Sequence, residues 1–152
     1  PGTAPMIRLT ITKSYNCLRQ DLFSRFESVH ILLGAKKNLT APRIARDEPG
    51  LQIIDTSVRI LFLGYASRLR YTTEPEKSAE LKQIHGEFKE YQCRYEFRDA
   101  GIHTNLTVSL RIKFPLGPFG FLLSLILKPV VTMQIKRELQ RIEKQTRELK
   151  AL

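Results

Sequence analysis

Residues 115–152 read PLGPFGFLLSLILKPVVTMQIKRELQRIEKQTRELKAL, and what this stretch requires decides the architecture of everything ahead of it. Its opening prolines and glycines, Pro115, Gly117, Pro118 and Gly120, end any preceding strand. Pro118 suits a first helical position. Residues 119–127 carry no charge at all. Beyond them Val131, Ile135, Leu139, Ile142 and Leu149 recur at steps of three, four or seven, with Lys136, Arg137, Arg141, Lys144 and Arg147 between them. That spacing predicts an amphipathic helix with one apolar stripe and a basic, solvated back. At ~1.5 Å per residue it spans a small domain. Pro129 predicts a kink or a division within it. The stripe needs a cover, and the residues before it have strand character.

The clearest strand lies immediately upstream. Leu106, Val108, Leu110, Ile112 and Phe114 face one way, and Asn105, Thr107, Ser109, Arg111 and Lys113 the other. Asp99-Ala100-Gly101 turns into it from a second alternating run, Tyr91, Cys93, Tyr95 and Phe97. Further back, Ala79, Leu81 and Gln83 form a strand that Gly86 breaks. Ser67, Leu69 and Tyr71 alternate with Arg68 and Arg70. A β-rich run over 51–63 places Val58, Ile60 and Phe62 on one face, with Gly64-Tyr65 read as the turn after it. Pro49-Gly50 fits a type II turn. At the start, Ile7, Leu9 and Ile11 mark a first strand. Asn16 is then placed to cap a helical segment carrying Leu18, Leu22, Phe26, Val29 and Leu33, and Ala35-Lys36-Lys37 reads as a basic loop. One-sided alternation means an antiparallel sheet with one wet and one covered face. The sum is an α+β chain of order β-αα-β6-α, a twisted seven-stranded sheet curling around the last helix.

Size and composition allow one domain over residues 1–152, with a substantial core. Hydrophobic residues make up 42% and charged residues 26%, as in an ordinary globular protein. The net charge of +10 favours an anionic contact: a membrane surface, RNA or an acidic partner. Cys17 and Cys93 are too few for a disulfide framework and lack metal spacing. No signal peptide and no run of ~18 apolar residues is visible, so the expectation is a cytoplasmic protein or one peripheral to a membrane.

The order of elements is that of the helix-grip fold, and the chain resembles the START-like (SRPBCC) superfamily, in particular its polyketide cyclase/dehydrase and coenzyme Q-binding branch. The residues that carry the likeness are Phe88-Lys89-Glu90-Tyr91, Tyr95-Glu96-Phe97-Arg98-Asp99-Ala100-Gly101, the strand 104–114, Phe114-Pro115-Leu116-Gly117-Pro118-Phe119-Gly120 and the helix segment Leu139-Gln140-Arg141-Ile142-Glu143-Lys144. The resemblance implies a cavity between sheet and helix for an apolar or amphipathic molecule. On the sheet side the expected walls are Ile60, Phe62, Leu69, Tyr71, Leu81, Tyr95, Phe97, Leu110 and Ile112. On the helix side they are Phe119, Leu123, Val131 and Ile135. His85 is the candidate polar contact, because it continues the alternation of Leu81 and Gln83.

Taken without the resemblance, those tyrosines and aliphatics are simply core. No catalytic constellation stands out, because no Ser or Cys has a recognisable activating partner and the carboxylates are scattered. No cofactor and no metal ligand set is expected. The leading expectation is a binding or carrier protein for a lipid, quinone or polyketide-like aromatic. A polyketide cyclase- or dehydratase-like enzyme is the alternative, and a ribosome- or membrane-associated interaction protein a third. The basic strand residues point away from the aromatics, which argues against base stacking with RNA.

Overall fold

A computed structural model describes residues 6–115 and 117–151, with side chains throughout except at 117–121 and 149–151. The chain runs β1 (Met6–Tyr15), α1 (Arg19–Phe23), α2 (Val29–Leu32), β2 (Leu39–Glu48), β3 (Leu51–Ile60), β4 (Leu63–Glu74), β5 (Ser78–Gly86), β6 (Glu90–Ala100), β7 (His103–Lys113) and α3 (Gly117–Ala151). All seven strands form one antiparallel sheet in the order β1-β7-β6-β5-β4-β3-β2. This is the helix-grip architecture: a curved sheet, two short helices after the first strand, and a long helix against the concave side.

Period-two alternation does what it predicts in β7, where Leu106, Val108, Leu110 and Ile112 are all buried, as is Phe114 just past its end. The same face continues through Tyr91, Cys93, Tyr95 and Phe97 of β6. From α3, Leu127, Val131, Ile135, Leu139 and Ile142 close over it. Leu149 falls among the side chains outside the description. The helix continues through Pro129, which lies on its exposed side while Leu127 and Val131 stay anchored on either flank. Buried hydroxyls find acceptors: Tyr15 donates to the Leu139 carbonyl at 2.9 Å and Thr104 to the Cys17 carbonyl at 2.8 Å.

Several sequence readings need correction. Asn16 does not cap a long helix. Leu18 holds the N-cap position of α1 without a side-chain bond, and α2 is capped separately by Ser28, whose hydroxyl accepts from the Ile31 amide. The Gln52 side chain also accepts from the Val29 amide at 2.5 Å, fixing α2 to β3. Leu18 is exposed as a result, and Leu32 rather than Leu33 is the buried residue.

The hairpin after β3 is tighter than the sequence suggests. Ile60 pairs with Leu63, so Leu61 and Phe62 form the turn, Leu61 taking a left-handed φ of 56°. Phe62 is therefore 82% exposed rather than part of the inner wall. Gly64 and Tyr65 belong to β4. A Cβ at Gly64 would stand 2.8 Å from the Ser57 hydroxyl oxygen, a contact that rotation of the serine side chain relieves.

His85 is displaced by a bulge. Gln83 pairs with Leu69 but His85 pairs with Arg68, leaving Ile84 as the extra residue. One extra residue reverses the face, so His85 points to the exposed side with Arg68. The outward arginines are less free than a basic face implies. Arg68 makes two bonds to Asp55 (2.7 and 2.9 Å), Arg94 reaches Glu80 and Glu96, and Arg111 and Lys113 flank Glu90.

Candidate functional site

The concave side contains one feature that the apolar pattern conceals. Glu138 sits on the buried stripe of α3, beside Ile135, Leu139 and Ile142, and is 2% exposed. Lys36, from the connection after α2, is 1% exposed rather than part of a solvated loop. That connection is drawn over α3 by its own turn, where the Ala35 and Lys36 amides donate to the Leu32 carbonyl. Arg141 of α3 donates to the Ala35 carbonyl at 2.9 Å and holds it there.

Three side chains then close a ring. The Lys36 ammonium donates to Glu138 Oε1 at 3.1 Å and to the Tyr95 hydroxyl at 3.4 Å. The Tyr95 hydroxyl donates to Glu138 Oε2 at 2.6 Å. Each carboxylate oxygen thus has its own donor, as a buried charge requires. Burial is the largest single influence on Lys36 and would lower its pKa, but the Glu138 charge and hydrogen bond, together with Tyr91 and Cys93, outweigh it and hold the ammonium above the usual lysine range. Burial, reinforced by Cys93 and Glu138, pushes Tyr95 well above its ordinary value. Burial likewise takes Tyr91 up to about 12 and raises the Cys93 thiol. At neutral pH the tyrosines are hydroxyl donors and Cys93 is an unreactive thiol. Among the described residues no group of His, Cys, Asp and Glu could hold a metal ion.

Glu138 is also where the core meets open space. A pocket of about 480 Å³ lies between α3, the β3–β4 turn and the connection into β2. Leu61, Pro129, Val130 and Met133 give it an apolar wall, while Asn38, Gln134 and Glu138 supply polar groups and Lys37, Arg59, Arg137 and Arg141 supply cations. The hairpin is fixed to the helix by Gln134, which donates to the Arg59 carbonyl at 3.1 Å. Such a site can desolvate an apolar body and hold one polar end.

The wall residues expected from the sequence divide into groups. Ile60, Leu69, Tyr71, Leu81, Tyr95, Phe97, Leu110, Ile112, Val131 and Ile135 are all buried on the concave side, and Leu123 is half-buried. They pack behind the pocket rather than lining it, with Tyr95 joined to it through Glu138. Phe62 and His85 lie outside, His85 in a separate surface groove with Asp55, Arg68 and Glu87. The Phe119 side chain is outside the description. Sequence reasoning missed Lys36, Glu138 and the pocket lining. One signal was available: an acidic residue in phase with Ile135, Leu139 and Ile142 has to be buried with a partner.

The helix-grip fold is shared with solved structures of aromatase/cyclases and of a START superfamily protein. Solved structures similar to this chain include a protein from Thermus thermophilus, at 12% identity and TM-score 0.80, covering 94% of this chain and 99% of that one. The Zhui aromatase/cyclase from Streptomyces sp. R1128 matches at 10% identity and TM-score 0.79, covering 93% and 94%. A START superfamily protein from Mycobacterium smegmatis matches at 14% identity and TM-score 0.71, covering 93% and 98%. Identities this low speak for the fold alone. No family model and no curated protein sequence matches the chain.

Proposed function

We propose that the chain is a binding or carrier protein for a hydrophobic small molecule of the lipid, quinone or polyketide-like aromatic kind, held between α3, the β3–β4 turn and the connection into β2. The observation that carries this reading is the pocket of about 480 Å³ with an apolar wall and the Glu138–Lys36–Tyr95 ring at its inner side. Its volume falls in the ~300–1,000 Å³ range of small-molecule sites. Leu61, Pro129, Val130 and Met133 take up the apolar part of the ligand. Asn38, Gln134 and the surrounding cations orient its polar end. The fold shared with an aromatase/cyclase and a START superfamily protein supports a ligand of this class.

A cyclase-like enzyme is the second reading, favoured by the phenol–carboxylate pair of Tyr95 and Glu138 at the pocket. Both groups are buried, Tyr95 completely, and are bonded to each other, so binding is the simpler use of the same geometry.

The test is native mass spectrometry for a co-purifying molecule, followed by titration with a fluorescent fatty acid and a fluorescent quinone. Met133→Trp narrows the pocket from an exposed position and leaves the core alone. It should weaken binding at least tenfold with unchanged circular dichroism. Absence of any bound molecule together with no probe binding, or binding indifferent to Met133→Trp, refutes the carrier reading at this site.

A further inference from the structure

α3 is apolar on two opposite sides in its first half. The buried side is Leu127 and Val131. On the other side Leu122, Leu125, Ile126 and Met133 are each more than half exposed, and Pro129 is exposed with them. At ~100° per residue, positions 122, 125, 126, 129 and 133 fall within an arc of roughly 100°, directly opposite the stripe that packs on the sheet. A surface helix of this kind normally carries charge there. Its second half does, through Lys136, Arg137, Lys144 and Arg147. The apolar face also continues off the helix, because Leu61 shares a pocket with Pro129 and Met133, and the exposed Phe62 follows it in the turn.

The charges around this face all have one sign. Leu125, Pro129 and Met133 share a surface hollow of about 440 Å³ with Lys128 and Lys136. Lys37, Arg59 and Arg137 border the adjoining pocket. Residues 117–137 contain no Asp or Glu. The single carboxylate at the pocket, Glu138, is already held by Lys36. A second copy meeting this face through two-fold symmetry would oppose like charges with nothing to neutralise them. A protein partner would need a matching shape, whereas lipid needs only an apolar insertion and anionic head groups.

We propose that this face docks on an anionic membrane, with the first half of α3 lying in the interfacial plane, the Leu61–Phe62 turn inserted beside it, and Lys128, Lys136 and Arg137 on the head groups. Docking stands independently of whether the pocket holds a ligand.

Co-sedimentation of the full chain with vesicles of phosphatidylcholine alone, and of phosphatidylcholine mixed with phosphatidylserine, tests this. The chain should pellet with the mixed vesicles at ~0.1 M salt and lose most binding at ~1 M, where the Debye length falls from ~10 Å to ~3 Å. Removing three near-surface cations together (Lys128→Gln, Lys136→Gln, Arg137→Gln) should weaken binding about a hundredfold. Leu125→Ser with Ile126→Ser and Met133→Ser should release the protein while its circular dichroism stays unchanged, because these side chains are exposed. Arg70→Gln with Lys82→Gln, a cross-strand pair of exposed cations on the outer sheet face, should have no effect. Wild-type protein that stays in the supernatant at low salt, or that binds both vesicle types equally, overturns the proposal. So does loss of binding in the sheet-face control, which means diffuse attraction by net charge. A dimer in solution that the serine variant dissociates assigns the face to a second copy instead.

Discussion

Glu138→Gln isolates the energetics of the buried ring. The substitution preserves shape and removes the countercharge from an ammonium that is 1% exposed and bonded at 3.1 Å. Removing one partner of a buried pair costs about 3–5 kcal/mol, because the remaining charge is left without compensation. At about 2–4 °C per kcal/mol for a chain of this size, the midpoint should fall by roughly 6–20 °C. The pH dependence should also change sign. In the wild type the folded-state pKa of Lys36 is raised. Its contribution is therefore fully present below the unfolded value of ~10.4 and lost as pH rises through the folded value. In the variant burial dominates, the folded pKa drops below ~10.4, and the unfolded chain binds the extra proton. Stability of Glu138→Gln should then increase with pH between about 7 and 10, where the wild type is flat or declining. Replacing the whole ring (Lys36→Met with Glu138→Leu and Tyr95→Phe) should restore or exceed wild-type stability, since apolar side chains carry no desolvation penalty and no buried hydroxyl is left without an acceptor. Thermal and guanidinium unfolding at several pH values measure all three proteins. A loss under about 1 kcal/mol at pH 7, or a variant whose pH profile parallels the wild type, shows that Lys36 reaches water and the reasoning fails.

Other outcomes follow from local geometry. Gly86→Ala puts a Cβ within 2.7 Å of the Ala66 carbonyl oxygen and 2.8 Å of Ser67 Cα, so backbone must move. It should cost more than Gly101→Ala, where open space leaves only a φ of +73°, and paired melting curves decide between them. Phe62→Ser removes an exposed side chain and should change stability by less than about 0.5 kcal/mol, in contrast to the several kcal/mol expected of a buried wall residue. Cys93, buried with its thiol pKa raised, should label with a thiol reagent only after unfolding; rapid labelling of native protein at that residue would contradict the packing of β6.

The sequence and the structure agree wherever burial is periodic and local. Leu106 to Phe114 alternate over five inward positions with no interruption, so neither face nor element type is ambiguous. The stripe of α3 is equally plain from Val131 to Ile142. Phe62 and His85 were misplaced for one reason, a change of register that leaves no mark in composition. A two-residue turn normally shows Gly, Asn or Asp, and here Leu61 takes the left-handed position instead. The bulge at Ile84 inserts an apolar residue that looks like any other strand residue. Lys36 followed a different logic. Its burial depends on Glu138 and Arg141, more than a hundred positions away, and no window of sequence contains both sides of that contact. Glu138 was legible in principle, as an acidic residue out of place on an apolar stripe, and it identifies the pocket.

The pairing of β1 with β7 has a consequence for synthesis. Met6 lies opposite Lys113 and Tyr15 opposite Thr104, so β1 has no sheet partner until most of the described chain has followed it. Lys36 waits longer still for Glu138. Non-local closure of this kind is slow. During that interval the chain leaving the ribosome carries unpaired β1 and a concave apolar face without α3. Such exposure is what chaperones bind, and the last helix is the element that ends it.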